Sequence, residues 1–394
     1  MNTMRPRHLN QRGMPVSKPI SLYDKWLIAT IFGLLIIGLM MVASSSVMVS
    51  TKYFHQPFHF LVRQACYLCA GLAVGLIIIR TDSSVWERIS MPMLMICILM
   101  LVIVLIPGIG RSVNGSRRWL ALGPIGVQVS EMAKLTMIFY LAGYLVRQQK
   151  AVSESIFGFI KPMVVLAIVS FLLLLEPDFG ATVVISGTVM AMLFLAGVRL
   201  RYYVGLMVLV MTALAFLAFS SPYRVARLTA FLDPWADQYN SGYQLTQSLI
   251  AFGRGGWFGL GLGESIQKLL YLPEAHTDFL FAVLAEEFGL AGILVVMGLY
   301  SILVYRGLNI AYIAHNQERL FASYTAYGLT FWLALQAAIN MGVNAGLLPT
   351  KGLTLPLLSY GGASMVINCV VIALLLRIDH ENRWQSLGLG TANG

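Results

Sequence analysis

The sequence predicts an all-α polytopic membrane protein with about ten transmembrane helices and one large extracytoplasmic loop between spans seven and eight. Three observations carry this reading. The 394-residue chain is 58% hydrophobic and only 11% charged, whereas soluble domains average about a quarter charged. Its apolar residues are gathered into blocks, several of them about 20 residues long, the length that crosses a bilayer as a helix. The net charge is +10, yet the basic residues are spread between the blocks. With no dense basic run, nucleic acid is not an expected partner.

The chain opens on a polar, basic stretch, 1–24, which reads as a disordered cytosolic tail. The apolar run that follows ends in "ASSS" (43–46), a sequence similar to a signal-peptidase site. The run exceeds the 7–15 residues of a signal-peptide core, so it reads as an uncleaved first span. Spans are expected at roughly 26–47, 60–80, 90–108, 131–148, 158–176, 180–198, 202–221, 278–305, 321–348 and 357–377. The membrane domain is then 25–377, with 222–277 as its extracytoplasmic loop and 378–394 as a second cytosolic tail. "GLAVG" (71–75) has the spacing of close helix packing. Cys66, Cys69, Cys97 and Cys369 all fall in apolar windows and read as helix-packing thiols, with no disulfide framework.

An even number of spans places both termini on one side. The positive-inside rule makes that side cytoplasmic, with about sixteen of the 27 basic residues there. The exceptions are informative. Arg111, Arg117 and Arg118 precede span four, Lys134 lies just inside it, and Arg224, Arg227, Arg254 and Lys268 occupy the 222–277 loop. Lys351 sits in the last outer loop. Cations retained on an outer face suit an anionic partner such as a pyrophosphate, or equally lipid phosphates and loop carboxylates. Within that loop, "YQLTQSLIAF" has helical apolar spacing and is expected to lie along the membrane surface. "GRGGWFGLGLG" lacks the Lys-Ser/Thr end of a phosphate-binding loop and reads as a tight turn, so no nucleotide site is expected.

Ionisable groups inside spans cost about 2.5–3.5 kcal/mol at mid-helix, which makes them candidates for function. They are Glu131 with Lys134, Glu176 with Asp178, Asp278, and Glu286 with Glu287. Glu131 and Lys134 stand three apart on one helix face. They form either a self-neutralising pair behind an N-cap at Ser130 or a cationic contact held by its neighbour. "LEPDFG" (175–180) breaks two apolar runs as a hairpin turn. Gln336, Asn340 and Asn344 make an amide stripe at four-residue spacing, followed by "GLLPTKGLTLPLLSYGGAS". Amides beside irregular backbone suggest a polar cavity opening outward. In "LPEAHTDFLFAVLAEE" (272–287), Thr277 is a ready helix cap with Asp278 in the first turn. The alternative is that Asp278 is an acid placed at the cavity mouth. His276 beside it is a loop residue or a metal ligand, though one histidine makes no zinc pattern.

These segments together resemble the SEDS family (shape, elongation, division and sporulation). "NAGLLPTKGLTLPLLSYGGAS" is similar to its signature, and "SRRWLALG…VQVSEMAK", "EPDFG" and "LPEAHTDFLFAVLAEE" follow the family's other blocks in order, from about Asp24 to Arg383. "SGYQLTQSLIAFGRGG" and "LPEAHTDF" are more like the division member than the elongation member. Ala363 stands where many members carry Ser, and Gly126 where a basic residue is frequent.

The resemblance implies a peptidoglycan glycosyltransferase that polymerises lipid II, with undecaprenyl pyrophosphate as leaving group. It also implies a class B penicillin-binding transpeptidase and other division proteins as partners, and the bacterial inner membrane at the septum as its place. The family's essential acid falls on Asp278, expected as general base on the acceptor hydroxyl. Arg118, Lys134 and Lys351 are expected to hold pyrophosphate. Glu131, Asp178, Gln244, Arg254, His276, Asn344 and Ser359 complete the candidate substrate contacts. A divalent cation, Mg or Mn, is compatible with the family, although the sequence presents no ligand set. The competing readings are a lipid II flippase, which ten spans with broken helices would suit, and a non-catalytic scaffold.

Overall fold

A computed structural model describes residues 23–113, 116–122, 125–220, 225, 229–350 and 352–387. Its helices are α1 Lys25–Phe54, α2 His59–Ile79, α3 Ser83–Leu105, α4 Val129–Arg147, α5 Gln149–Glu154 and α6 Ile156–Leu175. They continue with α7 Phe179–Leu195, α8 Leu200–Phe219, α9 Tyr243–Gly255, α10 Leu280–Asn316, α11 Leu320–Asn344 and α12 Gly362–Ser386. Seven of them (α1, α2, α3, α4, α6, α10 and α12) are long and apolar enough to cross a membrane, and α7 and Leu200–Ala213 are shorter apolar helices. The chain is a multi-pass helical membrane protein. α4 and α12 form its centre, with 89% and 72% of their apolar windows buried, against 22% for α2.

Between α3 and α4 the expected loop is instead a small antiparallel sheet: β1 Gly110–Val113, β2 Ser116–Leu122 and β3 Ile125–Gln128, in the order β1-β2-β3. Trp119 pairs with Gln128, and Leu120 with Val127. The Trp119 ring lies over Gly126, where a Cβ would come within 3.3 Å of it. Any larger side chain at 126 would have to displace the indole. Other boundaries also differ from expectation. α1 runs on to Phe54 and α12 to Ser386. α4 begins at Val129, so Ser130 lies in the first turn instead of capping it, its Oγ taking the Gln128 side-chain N–H at 3.1 Å.

The glycines of "GLAVG" bring α2 onto α12. A Cβ at Gly71 would sit 2.9 Å from Cys369 Sγ, and one at Gly75 would sit 3.4 Å from the Ala373 methyl. Cys97 and Cys369 are buried, but Cys66 and Cys69 are exposed on α2. Those two face outward from the bundle because α2 packs through its glycine edge.

One end of the bundle is tied by ions. Asp24 caps α1 and accepts from Arg306 of α10, while its N–H donates to Asp379 of α12 at 2.8 Å. Arg319 and Arg377 both pair with Glu381, and Arg377 also pairs with Asp82 at the start of α3. A cleft of about 510 Å³ lined by Tyr23, Leu76, Ile79, Arg80, Asp82 and Arg377 lies at this end. The sheet, the turn between α6 and α7, and segments 243–279 and 345–361 gather at the other.

Near that other end α10 is broken at Gly289, whose φ of 63° and ψ of −159° are not helical. The 255–261 loop repairs the break. Leu260 and Gly261 donate to the carbonyls of Glu286 and Glu287, each at 3.0 Å, and Leu290 and Ala291 donate to those of Gly256 and Trp257 at 2.9 and 3.0 Å. Backbone freed at membrane depth is tolerated only when other protein groups satisfy it. The approach demands glycine: a Cβ at Gly255 would lie 1.9 Å from the Ala285 carbonyl oxygen, and one at Gly259 2.1 Å from that of Glu287. The glycines of "GRGGWFGLGLG" therefore serve backbone pairing.

Candidate active site

The two adjacent carboxylates of α10 are both fully buried. Glu286 accepts from the Ser265 hydroxyl, from the backbone N–H groups of Ile266 (3.3 Å) and Gln267 (3.1 Å), and from Arg254 (3.1 Å). Glu287 accepts from Ser44 of α1 at 2.6 Å and Lys268 at 2.7 Å. They hold the 254–268 loop to the helix. Two of the cations that break the positive-inside pattern, Arg254 and Lys268, thus find their anions within the protein.

The amide stripe is present on α11, and its amide groups bond to protein. Gln336 donates to the Thr354 carbonyl at 2.9 Å, and its Oε1 accepts from Lys134 (2.7 Å) and from the Trp332 indole (2.8 Å). Asn340 donates to the carbonyls of Leu353 (2.6 Å) and Asp278 (2.8 Å). Asn344 donates to the Asp278 carbonyl at 3.0 Å, and its Oδ1 accepts from the Ala282 N–H at 3.1 Å. The stripe faces protein carbonyls because the chain returns through 352–354 directly against it.

That return segment is where the candidate residues meet. Asp278, half-buried, lies against Gly352, where a Cβ would be 3.2 Å from Asp278 Oδ2. Leu353 packs on Gly180, two residues past Asp178, where a Cβ would meet the leucine at 3.0 Å. Asp178 accepts from the Ala181 N–H at 3.1 Å, capping α7. Arg118 of β2 reaches the same turn. It donates to the carbonyls of Glu176 (3.2 Å) and Pro177 (2.7 Å), and stands 3.8 Å from Asp178 Oδ2. Beyond Thr354 lies Lys134, held by Gln336, by Glu131 at 2.8 Å, and by the Trp332 ring at 4.6 Å. The acid therefore touches this segment at Gly352, the ammonium is linked to it through Gln336, and the guanidinium holds the turn whose Gly180 packs on Leu353.

Asp278 does not cap α10. The cap residue is Phe279, with no side-chain bond, and Thr277 turns back to the Glu274 carboxylate at 2.7 Å. The cap comes from Asn344 on another helix. His276 is buried between the rings of Phe60 and Tyr360, at centroid distances of 4.7 and 5.6 Å. Burial pushes its imidazole below the usual histidine range, against a weaker upward pull from Glu274. Its Nδ1 has no hydrogen-bond partner among the described residues. Ser359 Oγ accepts from the Leu355 N–H at 3.0 Å and shapes the turn. Gln244 is half-buried on α9, and Arg254 sits in that helix's last turn. Lys351, Arg224 and Arg227 lie outside the described residues, as do the side chains of Arg111 and Arg117.

Other groups here were not anticipated from the sequence. Gln64, buried in α2, donates to the Ser359 carbonyl at 3.1 Å and accepts from the Gly361 N–H at 3.3 Å. Arg63 beside it is exposed and donates to the Tyr67 hydroxyl at 3.2 Å. The signal was available: a glutamine and an arginine inside an otherwise apolar span. Glu176, in the turn between α6 and α7, is fully buried with neither carboxylate oxygen bonded among the described residues. Burial and then Asp178 raise its pKa to about 8, with Arg118 acting in the other direction. Among the described residues no three of His, Cys, Asp or Glu come together as a metal-ligand group. The ligand set a divalent cation would need is not assembled by them.

Comparison with known proteins places the chain in a family. Residues 25–384 match the family model described as cell cycle protein, that of FtsW, RodA and SpoVE. The chain is 86% identical over 389 residues, 99% of each chain, to the probable peptidoglycan glycosyltransferase FtsW of Legionella pneumophila. It is 54% identical to the protein of that name from Coxiella burnetii, over 91% of this chain and 96% of that one. Among solved structures, a chain of a peptidoglycan synthase complex that coordinates polymerization and crosslinking aligns with a TM-score of 0.75. The identity is 28%, over 92% of this chain and 99% of that one. The rod shape determining protein RodA of Thermus thermophilus aligns with a TM-score of 0.68 at 27% identity, covering 91% and 97%.

Proposed function

This chain belongs to the cell cycle protein family of FtsW, RodA and SpoVE, and from that premise we propose that it polymerises lipid II into glycan strands with Asp278 as general base. It is an enzyme, a peptidoglycan glycosyltransferase of the FtsW kind. The observation that supports the finer reading is that Asp278 lies against Gly352, Lys134 is linked to Thr354 through Gln336, and Arg118 holds the turn whose Gly180 packs on Leu353.

The chemistry asks for two things. The acceptor sugar hydroxyl needs a base. The leaving lipid pyrophosphate, already a stable anion, needs positive charge more than a proton. Asp278 takes the hydroxyl proton as the new glycosidic bond forms and the bond to pyrophosphate breaks. By analogy with inverting glycosidases, the base acts on the face opposite the leaving group. Arg118 is partly exposed. Its two carbonyl bonds fix the guanidinium without neutralising it, and Asp178 stands at 3.8 Å. Lys134 is only 2% exposed. It acts from behind the segment, through its charge and its grip on Gln336.

The ion-tied end of the bundle is read as cytoplasmic, with both termini on that side of the inner membrane and the Asp278 end facing outward. The partner is read as a class B penicillin-binding transpeptidase at the septum. This is supported by the similarity to a chain from a complex that joins polymerization to crosslinking.

The test is polymerisation of labelled lipid II by the purified protein together with its transpeptidase, followed on a gel. Glycan polymer made by the wild type and lost with Asp278→Asn, at unchanged folding and partner binding, is the expected result. Polymer formed at the wild-type rate by Asp278→Asn removes the assignment. Lipid II scrambling in vesicles without polymer points to transport.

A further inference from the structure

α10 begins at Leu280, and its cap residue Phe279 gives no side-chain bond, so the side chains that hold its first turn come from α11. Both side-chain amides, Asn340 at 2.8 Å and Asn344 at 3.0 Å, donate to one atom, the Asp278 carbonyl oxygen. A carbonyl has two lone pairs, so the two donors saturate it. They fix the peptide plane after Asp278 and with it the direction in which the Asp278 side chain leaves the backbone. Asn344 Oδ1 takes the Ala282 N–H at 3.1 Å, a donor it shares with the Phe279 carbonyl, also at 3.1 Å. Asn340 also donates to the Leu353 carbonyl at 2.6 Å, which anchors the segment whose Gly352 lies against Asp278 Oδ2. One amide thus locates both the acid and the surface it rests on. The Asn344 carbonyl accepts from Ser248 of α9 at 2.7 Å. The two asparagines are 2% and 0% exposed, so neither presents an atom to a ligand.

We infer that Asn340 and Asn344 are positioning residues, which act on the reaction by setting the Asp278 carboxylate and not by touching substrate. The inference rests on Asp278 being the general base. A base contributes about 10²–10⁴ in rate, and a displacement of about 1 Å at a reacting group costs about 10². Losing one of the two donors is therefore expected to lower kcat by about 10- to 100-fold while leaving KM within about threefold.

Asn344→Asp is the discriminating variant. It keeps the oxygen that accepts from Ala282 and loses the donor to the Asp278 carbonyl. Kinetics of lipid II polymerisation are measured on the full chain with its transpeptidase at matched folded fractions, alongside hydrogen exchange across 278–284. The expected result is a fall in kcat at near-constant KM, with Ala282 protection retained. Added to Asp278→Asn, the substitution should cause no further loss, since both act through one carboxylate. A kcat within twofold of wild type, a rise in KM at constant kcat, or an additive loss in the double variant would each overturn the inference. Asn344→Leu, which removes donor and acceptor together, should lower kcat at least as far as Asn344→Asp, and a kcat near wild type would overturn the inference. Polymerisation that survives Asp278→Asn alone overturns the general-base reading, and it is measured before either asparagine is changed.

Discussion

Lys268, in the segment between α9 and α10, reaches Glu287, a fully buried carboxylate of α10, across 2.7 Å. Ser44 of α1 completes the contact from the other side, at 2.8 Å from the ammonium. Three separate stretches of chain are joined at one buried charge pair. Removing one partner of such a pair leaves an uncompensated charge and costs about 3–5 kcal/mol. Lys268→Met is therefore expected to lower the melting temperature in detergent sharply, and Lys268→Met with Glu287→Gln to restore much of it. Equal losses in the single and double variants would show that the charge pair is not what holds the loop.

The interlock of 255–261 with α10 predicts a contrast between neighbouring glycines. Gly255→Ala drives a methyl onto the Ala285 carbonyl, and the protein should fail to accumulate in the membrane. Gly253→Ala, two residues earlier in the same helix with nothing within 4 Å, should be tolerated, with a gain of up to about 1 kcal/mol from helix propensity. Immunoblots of membrane fractions and thermal melts separate the two.

Glu176 gives a pH signature. Its folded-state pKa near 8, against an ordinary 4.5, means the folded protein keeps a proton that the unfolded chain releases across that window. Stability should fall as pH rises from 4.5 to 8, with the destabilisation absent below 4.5 and full above 8. Glu176→Gln abolishes the slope. Its melting temperature should match wild type at pH 4.5 and exceed it increasingly up to pH 8. Parallel curves for the two proteins would place Glu176 in a wetter setting than the structure gives it.

Of the candidate leaving-group cations among the described residues, Arg118 is partly exposed and Lys134 is buried. Arg118→Ala should lower kcat/KM for lipid II at least about tenfold, or about 1.4 kcal/mol. Arg118→Lys should fall between, since an ammonium keeps the charge but cannot span two carbonyls. Steady-state kinetics at two salt concentrations check this, the wild type being the more salt-sensitive.

Much of the architecture was legible from the residues because lipid imposes a coarse rule. A block of apolar residues of bilayer length must be a helix, whatever its neighbours do. The glycine edge of α2 and the amide stripe were legible for the same reason, since small or polar residues inside a span must meet protein. The β1–β3 sheet was missed although Asn114-Gly115, a strong hairpin dipeptide, stands between β1 and β2. The apolar pattern around it is short and carries no lipid constraint. Two other facts were beyond local reading. That Glu286 and Glu287 serve a loop, and that Asn344 caps a helix it does not belong to, depend on contacts between residues far apart in the chain.

Asp24 stands at the head of the first helix, yet its partners are Arg306 near the end of α10 and Asp379 in the last. During synthesis, therefore, the ion-tied end of the bundle stays incomplete until α12 has been made. A chain stopped short of α12 would leave Asp24 without Asp379, and Arg319 without Glu381.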